Sequence, residues 1–208
     1  MQSNFATDLQ QSEAASMFLD RYCYPKMFDD FKRYVDKQHQ YSGIDLTVSK
    51  NGKNVMVDEK VMLSGLNEKP RRFWFELSAK TRNQANNIYP GWFVNPEMKT
   101  EAYTIVFFPE TTVPGNRGLA HPSQIRSWET LLINKNDLKQ YIYDTCGMRD
   151  EELLWFANRV RNSKERIDFY PGIWIETSQR YMEAPTNLII TKPHLDRVAK
   201  LVSTGRLD

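Results

Sequence analysis

Between Ile44 and Val61 the chain alternates apolar and polar residues on both sides of one Asn51-Gly52 dipeptide, which leaves this stretch little choice of local structure. Asn-Gly flanked by apolar-rich runs is the strongest short-range signal for a two-residue hairpin, because both central residues must take positive φ. Before the turn Ile44, Leu46 and Val48 alternate with Asp45 and Thr47; after it Val55, Val57 and Val61 alternate with Met56, Asp58 and Lys60. With Asn51 and Gly52 as the loop, Lys50 faces Lys53, and residues equidistant from the turn stand opposite each other. Asp45 then lies directly opposite Asp58 at a non-hydrogen-bonded pair, with Cβ atoms about 4.5–5.5 Å apart. Two like charges that close are destabilising unless something positive lies between them. A divalent cation meets that need, and Lys60, two residues past Asp58, points to the same face.

The rest of the chain reads as a mixed α/β domain. A first helix runs to about Tyr22 and Pro25 interrupts it. Phe28, Phe31, Tyr34 and Val35 suggest a second helical stretch. After the hairpin, a third strand is expected over residues 71–78, with Phe73, Phe75 and Leu77 facing one way and Trp74 and Glu76 the other. Residues 102–108 read as a buried fourth strand ended by Pro109. Helices follow at 135–143 and 150–160, short strands at 172–176 and 188–191, and a closing helix from Pro193 to Val202 with proline in its first turn.

Composition narrows the classes of function. The 208 residues can bury a substantial core, and charge is well mixed along them. A formal net charge of +2 does not argue for nucleic acid, although Lys50 to Arg82 holds eight Lys/Arg against four Asp/Glu. Cys23 and Cys146 are far apart and in no metal-ligand spacing, which reads as two reduced thiols. No apolar run approaches the roughly 20 residues needed to span a membrane, and the first residues do not read as a signal peptide, so the expected location is the cytoplasm. His39, His121 and His194 are scattered, Ser123 and Ser127 have no partner pattern for a nucleophile, and there is no glycine-rich phosphate loop. Zinc chemistry, acyl transfer and nucleoside-triphosphate hydrolysis are therefore not indicated.

The chemistry rests on the acids and the lysine of the hairpin. Carboxylate oxygens suit hard cations such as Mg²⁺ or Mn²⁺, and Mg²⁺ usually takes one or two carboxylates and keeps several waters. Such an ion polarises a phosphoryl oxygen and acidifies water, while Lys60 orients the water or neutralises charge building on the phosphate. Alternation puts Glu59 on the other face, although a bulge would let it replace Asp58. Glu76, an acid inside an apolar strand, reads either as a third ligand or partner of Lys60 or as a polar position on an open face. Lys80 and Arg82 read as phosphate contacts or as surface charge, and Trp92 as a stacking ring or as core.

Gly43-Ile44-Asp45, a hairpin, then Val57-Asp58-Glu59-Lys60 resembles the core of the PD-(D/E)XK nuclease superfamily, with Ile44 where the name-giving proline stands. The resemblance spans residues 8–109 and implies a restriction-endonuclease-like core of helix, β-meander and fourth strand. Residues 1–112 would form that core, and 113–208 an extension completing or covering the same domain. It implies that Asp45 and Asp58 hold the metal together with the main-chain carbonyl of Glu59, that Lys60 is the superfamily lysine, and that a helix glutamate falls on Glu13. The implied activity is metal-dependent hydrolysis of DNA phosphodiester bonds by a metal-activated water, in a homodimer. The alternatives are an inactive module of the same fold that binds nucleic acid or a protein partner, and a hydrolase of small phosphoesters.

Overall fold

A computed structural model describes residues 5–63, 66, 71–81, 84–113, 118–178 and 184–207. In chain order the elements are α1 (Phe5–Phe18), a π-helical turn (Leu19–Cys23), α2 (Tyr24–Met27), β1 (Asp30–Arg33), α3 (Lys37–Tyr41), β2 (Leu46–Lys50), β3 (Lys53–Val61), β4 (Arg72–Thr81), β5 (Gln84–Pro90) and β6 (Ala102–Thr111). A 3₁₀ turn (Pro122–Gln124), β7 (Ile125–Asn134), α4 (Lys135–Cys146), α5 (Asp150–Ser163), β8 (Ile167–Tyr170), β9 (Ile173–Thr177), β10 (Thr186–Thr191), α6 (Lys192–Val198) and β11 (Leu201–Arg206) complete it. The class is mixed α/β. No helix among the described residues is long and apolar enough to cross a membrane.

The chain divides into two compact units and passes between them more than once. The first holds residues 1–69, 100–134 and 199–208, and the second 70–99 and 135–198. The expected boundary at 112/113 coincides with neither, because β7 continues the first unit's sheet.

In the first unit six strands run in the order β1-β2-β3-β6-β7-β11. Neighbours are antiparallel except β3 and β6, which are parallel. The Asn51-Gly52 turn forms as its chemistry dictates, with φ of 52° and 73°. Opposed pairs run from Lys50↔Lys53 to Leu46↔Val57 as the spacing requires. One face of the sheet is packed by the N-terminal helices. Ala14, Ala15, Phe18, Leu19, Tyr24 and Met27 join Leu46, Val48, Val57, Val106, Phe108 and Trp128 in one core. Pro25 ends α-helical bonding because it lacks an N–H and crowds the preceding turn. The chain absorbs this as a π-helical turn before α2 rather than a break.

Several elements differ from the sequence reading. Residues 30–33 form β1 rather than a helix: Phe31 and Arg33 are half-buried while Asp30 and Lys32 are exposed, and the segment pairs with β2. The meander is thus β1, β2 and β3, one strand earlier than expected. The strand at 72–81 belongs to the other unit's sheet. β6 runs through Pro109 to Thr111, with the ladder shifted between Phe107 and Glu110, where a residue without an N–H is tolerated. The closing helix stops at Val198, and β11 returns as an edge strand on β7.

The second unit has its own sheet, in the order β5-β4-β10-β9-β8, all antiparallel. α5 rests on β4, β9 and β10. Phe73, Phe75, Trp92 and Phe93 form an aromatic cluster. Gly91 approaches β4 so closely that a Cβ would stand 2.3 Å from the Glu76 carbonyl oxygen.

In the first unit Gly205 is paired with Trp128, and a Cβ at Gly205 would lie 2.1 Å from the indole ring. Trp128 is fully buried and cannot yield cheaply. Gly205→Ala is therefore expected to cost about 1–3 kcal/mol in urea unfolding. An unchanged midpoint would contradict this packing.

Candidate functional site

β3 sends its side chains to two faces with different duties. Towards the helices, between the apolar Val57 and Val61, it places Glu59, whose side chain is 6 % exposed. A carboxylate there must be fully bonded to be tolerated. Ser16 Oγ donates to Glu59 Oε1 at 2.8 Å, and the Tyr24 hydroxyl donates to Oε2. Arg33 donates to both oxygens, at 3.2 and 2.9 Å. Arg33 in turn meets Asp20 bidentately at 2.9 and 2.7 Å. Burial opposes the guanidinium charge, but the bonds to Asp20 and Glu59 outweigh it and hold Arg33 above its ordinary pKa. Burial and the Glu59 charge push the Tyr24 phenol well up. This commitment decides between the two acids of the motif. Glu59 is a structural ion pair, and Asp58 is the one on the face with Lys60.

On that other face Asp58, Lys60 and Asp45 come together. Lys60 Nζ lies 2.8 Å from Asp58 Oδ1, and Asp58 is only 4 % exposed. Asp45 does not sit squarely opposite Asp58 as the ladder alone implies. Its N–H donates to the carbonyl of Val57, the residue paired with Leu46, at 2.9 Å, so the pairing bulges there. The displaced carboxylate accepts the Glu59 N–H at 2.8 Å through Oδ2 and lies within hydrogen-bonding reach of the Asp58 carboxyl. Burial raises Asp58 from the ordinary 3.8 to about 7; Lys60 opposes the rise and Asp45 adds to it. One peptide, Glu59, therefore joins the faces: its side chain is locked among the helices and its N–H holds Asp45.

The other residues singled out by sequence are elsewhere. Glu76 lies on β4, in the second unit's sheet, where it pairs with Asn187 and its charge supports Arg161, whose pKa burial lowers. It is not on the sheet that carries Asp58. Lys80 is on the same strand, paired with Ile88. Trp92 belongs to the aromatic cluster with Phe75 and Phe93. Arg82 lies outside the described residues. Glu13 is exposed on α1, and the helix positions that reach β3's network are Ser16 and Tyr24 instead. Sequence reasoning missed Arg33 and Asp20. The signal for Arg33 was period-two alternation in residues 30–33, masked by aromatic spacing that also fits a helix.

No group of three or more His, Cys, Asp or Glu side chains among the described residues is disposed to hold a metal. The donor set at hand is smaller: the two carboxylates of Asp45 and Asp58. It fits Mg²⁺ or Mn²⁺, which bind through one or two carboxylates and fill the remaining positions with water. Burial raises Asp58 to about 7 and the neighbouring Asp45 adds to the rise, with Lys60 as the opposing charge. Comparison of the chain with family models, curated proteins and solved structures gave no match in any of the three.

Two outcomes follow from these electrostatics. A carboxyl raised in the folded state contributes stability that is fully present below its unfolded pKa and is lost as pH rises through its folded one. Urea unfolding of metal-free protein should therefore lose a few kcal/mol between pH about 4 and about 7. Asp58→Asn should flatten that slope, and a slope identical in the variant would contradict the assignment. Arg33→Ala strands a buried carboxylate and should cost about 3–5 kcal/mol. Adding Glu59→Gln should recover part of the loss, whereas no recovery would place the cost elsewhere.

Proposed function

We propose that the first unit is a restriction-endonuclease-like core and that the Asp45, Asp58 and Lys60 face hydrolyses DNA phosphodiester bonds with the help of Mg²⁺ or Mn²⁺. The observation that carries this reading is the convergence of two carboxylates and an ammonium on one face of β2 and β3, with Asp58 buried between Lys60 and Asp45. The topology agrees: an antiparallel β1-β2-β3 meander, a parallel neighbour in β6, and a helix packed on the face opposite the acids.

Asp45, Asp58 and the Glu59 carbonyl would hold the cation, which would supply Lewis acidity and neutralise phosphate charge. The chain's own groups do the rest. Asp45 and Asp58 concentrate negative charge where the cation is needed, and the bond from the Glu59 N–H keeps Asp45 aimed. Lys60, already 2.8 Å from Asp58, keeps a positive charge beside the reacting phosphate, where it orients water and stabilises the charge that builds on the phosphoryl oxygens. Arg33 and Tyr24 take no part in the chemistry, but they fix the strand that carries it.

Lys60→Ala should lower plasmid or branched-DNA cleavage by at least about 10²-fold, with Asp45→Asn and Asp58→Asn at least as severe. Wild-type protein that leaves single-stranded, duplex and branched DNA intact with both Mg²⁺ and Mn²⁺ would overturn the enzyme reading and favour an inactive module.

A further inference from the structure

A second cluster stands on the same face of the first unit's sheet, one strand away from the carboxylates. Lys32 on β1 is paired with Thr47 on β2. Tyr34, two residues on, reaches Thr47 Oγ1 at 3.2 Å, and its N–H donates to the Asp45 carbonyl at 2.8 Å. Tyr34 is thus the lateral neighbour of Asp45, about 4.8 Å away across the strand pair. The His39 ring stacks on Tyr34 with centroids 3.9 Å apart and planes within 7°. On the same tyrosine ring Lys32 Nζ makes a cation–π contact at 5.1 Å from the centroid.

Asp36 organises this group twice over. Its carboxylate accepts the His39 N–H at 3.0 Å, capping α3, and also meets His39 Nδ1 at 2.7 Å. A carboxylate only accepts, so Nδ1 carries the hydrogen and Nε2 is the nitrogen left for a ligand. Lys32 is exposed, and the His39 side chain is 37 % exposed. An ammonium and an imidazole thus both rest against one aromatic ring, the imidazole held by a carboxylate, and they offer two separate contacts to the anionic groups of a strand.

We propose that Lys32 and His39, held by Tyr34 and Asp36, form a phosphate-contact subsite for the DNA strand, each meeting the backbone beside the phosphate at Asp45 and Asp58. This rests on the nuclease reading above. The cluster's position beside Asp45 serves registration, since a flanking phosphate gripped here sets which bond lies over the carboxylates. A group that only braced β1 would affect stability and leave DNA affinity alone.

The test is fluorescence anisotropy of a short labelled DNA duplex, and of its single strand, with the full chain in EDTA across a salt series. Lys32→Ala should weaken binding on the order of five-fold and reduce the steepness of the log–log salt dependence by about 1, and His39→Ala should weaken binding by a similar factor. Arg206→Ala removes an equivalent exposed charge from the opposite edge strand and should change neither. His39→Gln, which keeps a polar group at the position, replaces the alanine variant if that variant melts early. Wild-type binding matched in affinity and salt dependence by the Lys32 and His39 variants overturns the subsite and leaves the nuclease reading standing. A wild type that binds neither DNA overturns both.

Discussion

The first unit depends on the buried ion pair between Glu59 and Arg33. A charged pair among the side chains that pack α1 on the sheet is costly to desolvate, and it holds only because every oxygen of Glu59 is answered, by Ser16, Tyr24 and both arms of Arg33. Its effect is one of register. Moving β3 by one residue would send Asp58 and Lys60 into the helix-packed core and Glu59 out of it, taking from Arg33 the carboxylate that it meets there. The network thereby specifies which side of the strand each member of Asp58-Glu59-Lys60 occupies. It joins α1, the π-helical turn, α2 and β1 to the strand that carries the acids, so elements distant in sequence constrain one peptide.

That peptide transmits the constraint to the other face. The Glu59 N–H grips Asp45 where the β2–β3 ladder bulges, and the bulge turns Asp45 from a simple opposite number of Asp58 into its hydrogen-bonding neighbour. On this face Asp58 is buried, Lys60 compensates it in part, and Asp45 works against it. Structural carboxylates are ordinarily arranged to lower their pKa, as hydrogen bonds from the backbone and from an imidazole do for Asp36. For Asp58 burial raises it instead, and Asp45 adds to the rise.

The parts of this account legible in the sequence were those governed by local rules. Asn51-Gly52 permits few backbone conformations, so the turn, the register down to Leu46↔Val57 and the shared face of Asp58 and Lys60 could be read directly. The bulge at Asp45 could not, because it depends on β1 and on where Glu59 is anchored. Strand β1 was hidden because four residues with aromatic neighbours at helical spacing take their conformation from pairing with β2, not from propensity. Glu76 was misplaced for a related reason: alternation located its strand but not the sheet that strand joins, and the chain leaves one unit for the other between Lys69 and Pro70. The Asp36-His39 pairing follows helix-capping spacing, but its place beside Asp45 emerges only once β1 is in the sheet.

The proposed hydrolysis requires the Asp45 and Asp58 carboxylates to bind a divalent cation. The most direct measurement is anomalous diffraction at the manganese edge from crystals grown with Mn²⁺. The expected result is a peak bonded to both carboxylates and to the Glu59 carbonyl. A peak elsewhere, or none on that face while Lys60 stays paired to Asp58, would contradict it.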